Sequence, residues 1–176
     1  MVVTNLGRRL IVAALLAYAG VVHVFAEDDE DYRPGGWQEE EVVFPPMPEE
    51  KNLKGFFVSA AVDNRYAVDL ASISVGKDGV VRYVLVVDTP GGSRNVTYEG
   101  MRCETKEKRL YATGRRDGRW VSSRNVDWER IVDTPPRRQH AALFLEYFCP
   151  GATLVLDAEE ARNALIQGVH PLNRMR

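Results

Sequence analysis

The chain is poor in the residues from which catalytic and metal sites are built. Its 176 residues include two cysteines and three histidines. His23 lies in an apolar leader, so only His140 and His170 remain for the folded part, too few for a site of clustered histidines. C-x-x-C, G-x-S-x-G and Walker spacings are all absent, which removes the simple signatures of a redox pair, a nucleophile elbow and a phosphate loop. Gly91-Gly92-Ser93-Arg94 is too short to cradle a phosphate, and the acids Asp28 to Asp31 lack the spacing and glycine of an EF-hand. No metal and no cofactor is therefore expected. There is no low-complexity run and no fixed-period repeat, and the length suits one ordinary domain. Neither charge sign dominates: 23 Lys and Arg stand against 25 Asp and Glu, which at face value speaks against a polybasic nucleic-acid tail or an acidic disordered chain.

What is present begins with an export pattern. Arg8 and Arg9 precede an apolar run from Leu10 to Val22, broken only by Gly20, and Val24-Phe25-Ala26 follows. Basic start, apolar stretch and small-x-small end describe a signal peptide over residues 1–26, cut between Ala26 and Glu27. The run is short for a membrane span of about 20 residues, and five acids, Glu27 to Asp31, follow it. Lipid anchoring would need a cysteine where Glu27 stands. The expected product is periplasmic, not lipid-anchored, with no transmembrane span after cleavage. In an exported chain, Cys103 and Cys149 read as a disulfide. On chain-entropy grounds, closing a loop of that length is worth roughly 4 kcal/mol.

Residues 27–50 read as an arm, partly ordered. They carry ten acids and one base, with Pro34, Pro45, Pro46 and Pro48 keeping the chain extended. Trp37 and Val42-Val43-Phe44 are apolar exceptions that would dock on a domain. A single globular domain is expected over 51–170, with a frayed tail at 171–176. Strands are expected at Phe56 to Val62, Tyr66 to Leu70, Ser72 to Val75, Val80 to Val87, Asn95 to Cys103, Arg109 to Thr113 and Arg119 to Val121, with turn residues between them. Arg82 is the only charge in its run, which marks a central strand. The period then changes. Thr134 and Pro135 suit a helix start, and Ala141, Phe144, Leu145 and Phe148 fall on one helical stripe. Asp157 with Glu160 opens a second helix, which Gly168 stops. Strands first and helices last predict an α+β fold: an antiparallel sheet with hairpins, covered by two C-terminal helices.

The central blocks resemble the CNP-one-like family of exported bacterial proteins. The first block is Val68-Asp69, Ser72-Ile73-Ser74-Val75-Gly76 and Asp78-Gly79-Val80-Val81-Arg82-Tyr83; the second is Asn95-Val96-Thr97-Tyr98-Glu99-Gly100-Met101-Arg102-Cys103. Trp37 with Gln38-Glu39-Glu40, Trp128 and Cys149 also match family positions. The resemblance implies an envelope location and one small domain, and it carries no activity and no catalytic residues.

Three groups of residues remain as candidate sites. Tyr98, Glu99 and Arg102 could line a pocket, although strand alternation places Tyr98 and Arg102 on one face and Glu99 and Cys103 on the other. Arg115, Arg116, Arg119 and Arg124, near Tyr111 and Trp120, form a candidate anion-binding surface. Export sets nucleic acid aside and leaves an envelope protein, an anionic lipid headgroup or a glycan as partner. His140, in the first turn of the expected helix, is read as a surface residue. The leading functional reading is a non-catalytic binding or structural module of the envelope; the alternative is a small envelope hydrolase using His140 in a cleft. Nor is the overall charge balance uniform: residues 27–50 carry −9 and residues 51–176 carry +5. An acidic arm folded back over a basic face would account for the near-cancellation.

Overall fold

Six strands follow one another across a single antiparallel sheet in the computed structural model of the chain, which describes residues 36–135 and 137–175. The expected signal peptide, its cut site and the arm up to residue 35 lie outside the described residues. The strands are β1 (Leu53–Phe56), β2 (Arg65–Val75), β3 (Val80–Asp88), β4 (Arg94–Arg102), β5 (Glu107–Gly114) and β6 (Trp120–Ser122), in that spatial order; β7 (Glu129–Arg130) pairs with β5 beside β6. Tight turns make this meander possible. Gly79 and Gly118 both take positive φ, +76° and +81°, in the β2–β3 and β5–β6 connections, as two hairpins with glycine-bearing turns require. β3 is buried from Val80 to Val86, the central place its apolar run predicts.

Two strand expectations change. Tyr66 to Leu70 and Ser72 to Val75 form one strand, β2, whose register against β3 shifts between Asp69 and Ser74. The Ser72 hydroxyl bridges the irregularity, donating to the Asp69 carbonyl and accepting from the Val84 N–H. The strand expected at Phe56 to Val62 lies earlier in the chain. β1 pairs from Leu53↔Asp69 to Phe56↔Tyr66, where β2 is about to run out, so Phe57 leaves the sheet and stands exposed.

The helices cover one face. α1 (Arg138–Ala142) continues as a π-helical turn, Leu143–Phe148. Thr134 does not cap it; its carbonyl accepts from the Arg137 N–H in a turn that precedes the helix. The π turn, marked by the Cys149 N–H bonding Phe144 O, widens the helix and changes the buried stripe. Leu143, Phe144, Tyr147 and Phe148 face inward and Leu145 faces solvent. α2 (Ala158–Gln167) starts on Asp157, whose carboxylate accepts the N–H groups of Glu159 and Glu160, and ends at Gly168 with φ +81°. A short α3 (Pro171–Arg174) follows, capped by the His170 ring on the Leu172 N–H, where a frayed tail was expected.

The main core lies between helices and sheet, where Val81, Tyr83, Leu85 and Met101 meet Leu143, Phe144, Phe148 and Leu165. The Cys103–Cys149 disulfide, buried at both ends, joins the residue after β4 to the end of the π turn. The second core is smaller: Val84, Val86, Val96, Tyr98, Tyr111 and Ala112, packed against Val42 and Met47 of the arm. The fold is α+β. Among the described residues no helix is long and apolar enough to cross a membrane.

Candidate functional site

Polar side chains gather beneath the arm because two local features aim them there. The β4–β5 register steps from Tyr98↔Ala112 to Glu99↔Leu110, which leaves Tyr111 as an extra residue. Tyr111 and Ala112 therefore both join the arm-side core. Tyr111 lies across Gly100, where a Cβ would stand 2.2 Å from its hydroxyl. Gly76 makes similar room: a Cβ there would meet Asp78 Oδ1 at 2.2 Å and Arg82 Nη1 at 2.7 Å.

Into this space the arm places Glu39. Its carboxylate accepts from Arg109 Nη1 and from the Tyr111 hydroxyl, each at 2.5 Å, and lies 3.7 Å from Arg82 Nη2. Arg82 is held in turn by Asp78 through two hydrogen bonds, of 3.2 and 2.5 Å. Burial acts to raise the Asp78 pKa, but the Arg82 hydrogen bond and charge, with the N–H groups of Glu40 and Val80, hold it below the ordinary value. Burial and the hydrogen bond to Glu39 push the Tyr111 phenol upward, so it remains a donor. Trp37 closes the cluster. Its indole donates to Asp78 O at 2.8 Å, the Arg102 guanidinium sits 3.9 Å from its ring centre, and Trp128 meets it edge-on. Further along, Phe44 packs on Tyr98 and Trp120, the Trp120 indole donates to Pro45 O, and Glu50 pairs with Arg94. The arm from Trp37 to Glu49 joins no strand ladder; side chains hold it.

The opposite face holds one buried ionisable pair. Glu99 accepts from Tyr83 at 3.1 Å, Thr97 at 2.8 Å and His140 Nε2 at 2.9 Å. Burial alone would raise the Glu99 pKa; the charge and hydrogen bond of His140, with Thr97 and the Lys108 charge, outweigh it and hold the carboxyl at about 2. His140 is 6% exposed. It is thus a core residue and not the surface residue expected, because the helix begins at Arg138 and turns the ring toward the sheet.

The third region is the end of the sheet formed by the β3–β4 and β5–β6 turns. Arg115 and Arg116 are exposed; the Arg115 charge acts on Asp117 and helps lower that carboxyl's pKa, with no close ion pair between them. Arg119 pairs with Asp117 at 2.7 Å, and Arg124 is exposed beyond β6. A cavity of about 340 Å³ opens here, floored by Met47, Val86 and Val96 and edged by Arg94, Arg115 and Arg116.

The structure brings some predicted residues together and separates others. Tyr98 and Arg102 face the arm and Glu99 faces the helices, so no single pocket gathers the three; the two-residue period of β4 keeps them apart. The arginines the arm covers are Arg82, Arg102 and Arg109, not the hairpin set. Glu39, Asp78, Arg109 and Tyr111 were missed as a group. The lone charge of Arg82 in an apolar strand was the available signal, but the Tyr111 bulge has none.

Comparison with known proteins bears on the whole of this arrangement. The sequence profile of the CNP1-like family matches residues 33–166. The chain belongs to the CNP1-like family. A curated relative, "Cryptic neisserial protein 1" of Neisseria gonorrhoeae (strain ATCC 700825 / FA 1090), is 26% identical over 145 residues, covering 72% of this chain and 70% of the relative. No solved structure gives a significant match. The CNP1-like match spans the docked arm, both cysteines, the Glu99–His140 pair and the Arg-bearing hairpin; the Gly168 helix end and α3 lie beyond it.

Proposed function

We propose that this chain is an exported, non-catalytic module of the periplasm that holds to anionic lipid headgroups through the β5–β6 hairpin. The observation that carries this reading is the pair of exposed side chains, Arg115 and Arg116, neither closed into an ion pair among the described residues although Arg115 feels the nearby Asp117 charge, while Arg82, Arg94 and Arg109 each hold a carboxylate at 2.5–2.7 Å. The export pattern of the first 26 residues and the disulfide both suit an oxidising compartment. Basic residues near an anionic leaflet contribute about 1 kcal/mol each, screened by salt over roughly 10 Å. A hydrolase reading would start from Glu99 and His140, but both are buried and neither lines any of five surface cavities of 340–660 Å³.

Sedimentation with vesicles tests it. Binding to phosphatidylglycerol vesicles and not to phosphatidylcholine vesicles is expected, weakening at high salt and in the R115E/R116E/R119E variant. Equal binding to both vesicle types, or none to either, would refute attachment to anionic headgroups; an acidic envelope protein or a glycan would then have to be sought by pulldown with the same variant.

A further inference from the structure

We infer that the cavity at the sheet end is a binding site for an amphipathic anion, a single unbranched acyl chain carrying a carboxylate. This inference rests on the reading of the hairpin as an anion-binding surface and names the ligand class of that same surface. Its volume, about 340 Å³, lies at the small end of the roughly 300–1,000 Å³ that small-molecule pockets occupy. Its floor is apolar: Val86 and Val96 come from adjacent strands, paired directly with each other, and Met47 comes from the arm. Gly114 allows Met47 to settle, since a Cβ there would lie 2.7 Å from the methionine methyl.

The rim divides by charge. Arg94 is occupied, bonded to Asp88 at 2.7 Å and to Glu50. Arg115 and Arg116 supply two exposed cations, neither closed into an ion pair among the described residues; Arg115 feels the Asp117 charge only through space. An apolar floor beneath two exposed guanidiniums complements a molecule with an apolar tail and an anionic head. A guanidinium can take a carboxylate through two parallel hydrogen bonds. A small polar anion would leave the floor unused, and an uncharged alcohol would leave the guanidiniums unused.

Calorimetric titration of the full exported chain with hexanoate, octanoate and decanoate, below their micelle-forming concentrations, tests the inference. Saturable 1:1 binding is expected, tightening about fourfold per added methylene until the floor is covered. Decanol should bind at least tenfold more weakly than decanoate, and inorganic phosphate should not compete at equal concentration. Replacing both Arg115 and Arg116 with Ala should weaken decanoate at least tenfold. Val96→Phe, which fills the floor, should abolish decanoate binding; if that variant fails to fold, Met47→Phe serves the same purpose. Absence of saturation, equal affinity for decanol, or unchanged affinity in a folded floor variant would each overturn the site. Vesicle binding separates the two ideas: if it persists while decanoate fails, only the acyl site is lost, and if both fail, the hairpin reading fails with it.

Discussion

The two faces of the sheet are covered by different means, and the difference separates what folds the protein from what docks on it. The helical face is sealed by a segment with its own backbone hydrogen bonds, a covalent tie at Cys149 and an apolar core interrupted by one ion pair. The arm face is sealed by an extended segment without a ladder, held by the Trp37 indole, the Glu39 carboxylate and a few apolar contacts. Continuous burial makes the first cover part of the cooperative unit. Discrete contacts allow the second to open in a lower-energy step. All three tryptophans, Trp37, Trp120 and Trp128, report on the arm side, so their fluorescence follows the arm while far-ultraviolet circular dichroism follows helices and sheet.

The largest effect is expected on the helical face. His140→Ala leaves the buried Glu99 charge with only Tyr83 and Thr97 as hydrogen-bond donors, and removing one member of such a pair costs about 3–5 kcal/mol. Urea unfolding should show this as one transition shared by fluorescence and circular dichroism. Replacing both members with leucine should cost much less. The same pair sets an acid limit. Glu99 is depressed from its ordinary value of 4.5 to about 2, so its contribution is complete above pH 4.5 and is lost as pH falls toward 2. Acid titration of the melting temperature should show this loss in the wild type and a flatter profile in Glu99→Gln. An equally steep profile in that variant would mean that other carboxylates dominate.

Next comes the covalent tie. Cys103→Ala with Cys149→Ala should lower stability by about 2–4 kcal/mol, again in one transition. A separate early loss of tryptophan signal in that variant would mean that the disulfide also secures the arm, and the contrast between the faces would weaken.

The arm's own test is Glu39→Gln. It removes the charge opposite Arg109 and Arg82 and should cost about 2 kcal/mol, the range of a hydrogen bond to a charged group. Here the probes should part: the tryptophan emission shifts at lower urea than the circular dichroism changes. Coincident transitions would show that the arm belongs to the main cooperative unit.

The same contrast explains what could be read from the sequence. Strand and helix order, the central place of β3 and the Asp157 and Gly168 caps followed from local patterns, because turn glycines, apolar runs and cap residues act over a few positions; the disulfide, which spans 46 residues of sequence, followed from there being only two cysteines to pair. Other features that depend on distant pairing did not. The end of β1 depends on how far β2 extends, the stripe of the first helix depends on a π turn, and the environment of His140 depends on Glu99, 41 residues away. The Glu39 site needs the Tyr111 bulge, which reverses the alternation from which a face is normally assigned.

The smallest effect is expected at the other end of the arm. Arg94 joins Asp88 and Glu50, yet about half of its side chain is exposed. Exposed ion pairs are screened and contribute about 0.2–1 kcal/mol. Arg94→Ala should therefore cost less than Glu39→Gln although it removes contacts to two carboxylates. Its cost should fall further at high salt, while that of Glu39→Gln changes little, since the Glu39 side chain is only 14% exposed. Matched unfolding curves of the two variants at low and high salt decide this. If Arg94→Ala costs as much as Glu39→Gln at both salt concentrations, burial is not what grades the arm's contacts, and its hold is spread along its length instead of concentrated at the Trp37–Glu39 end.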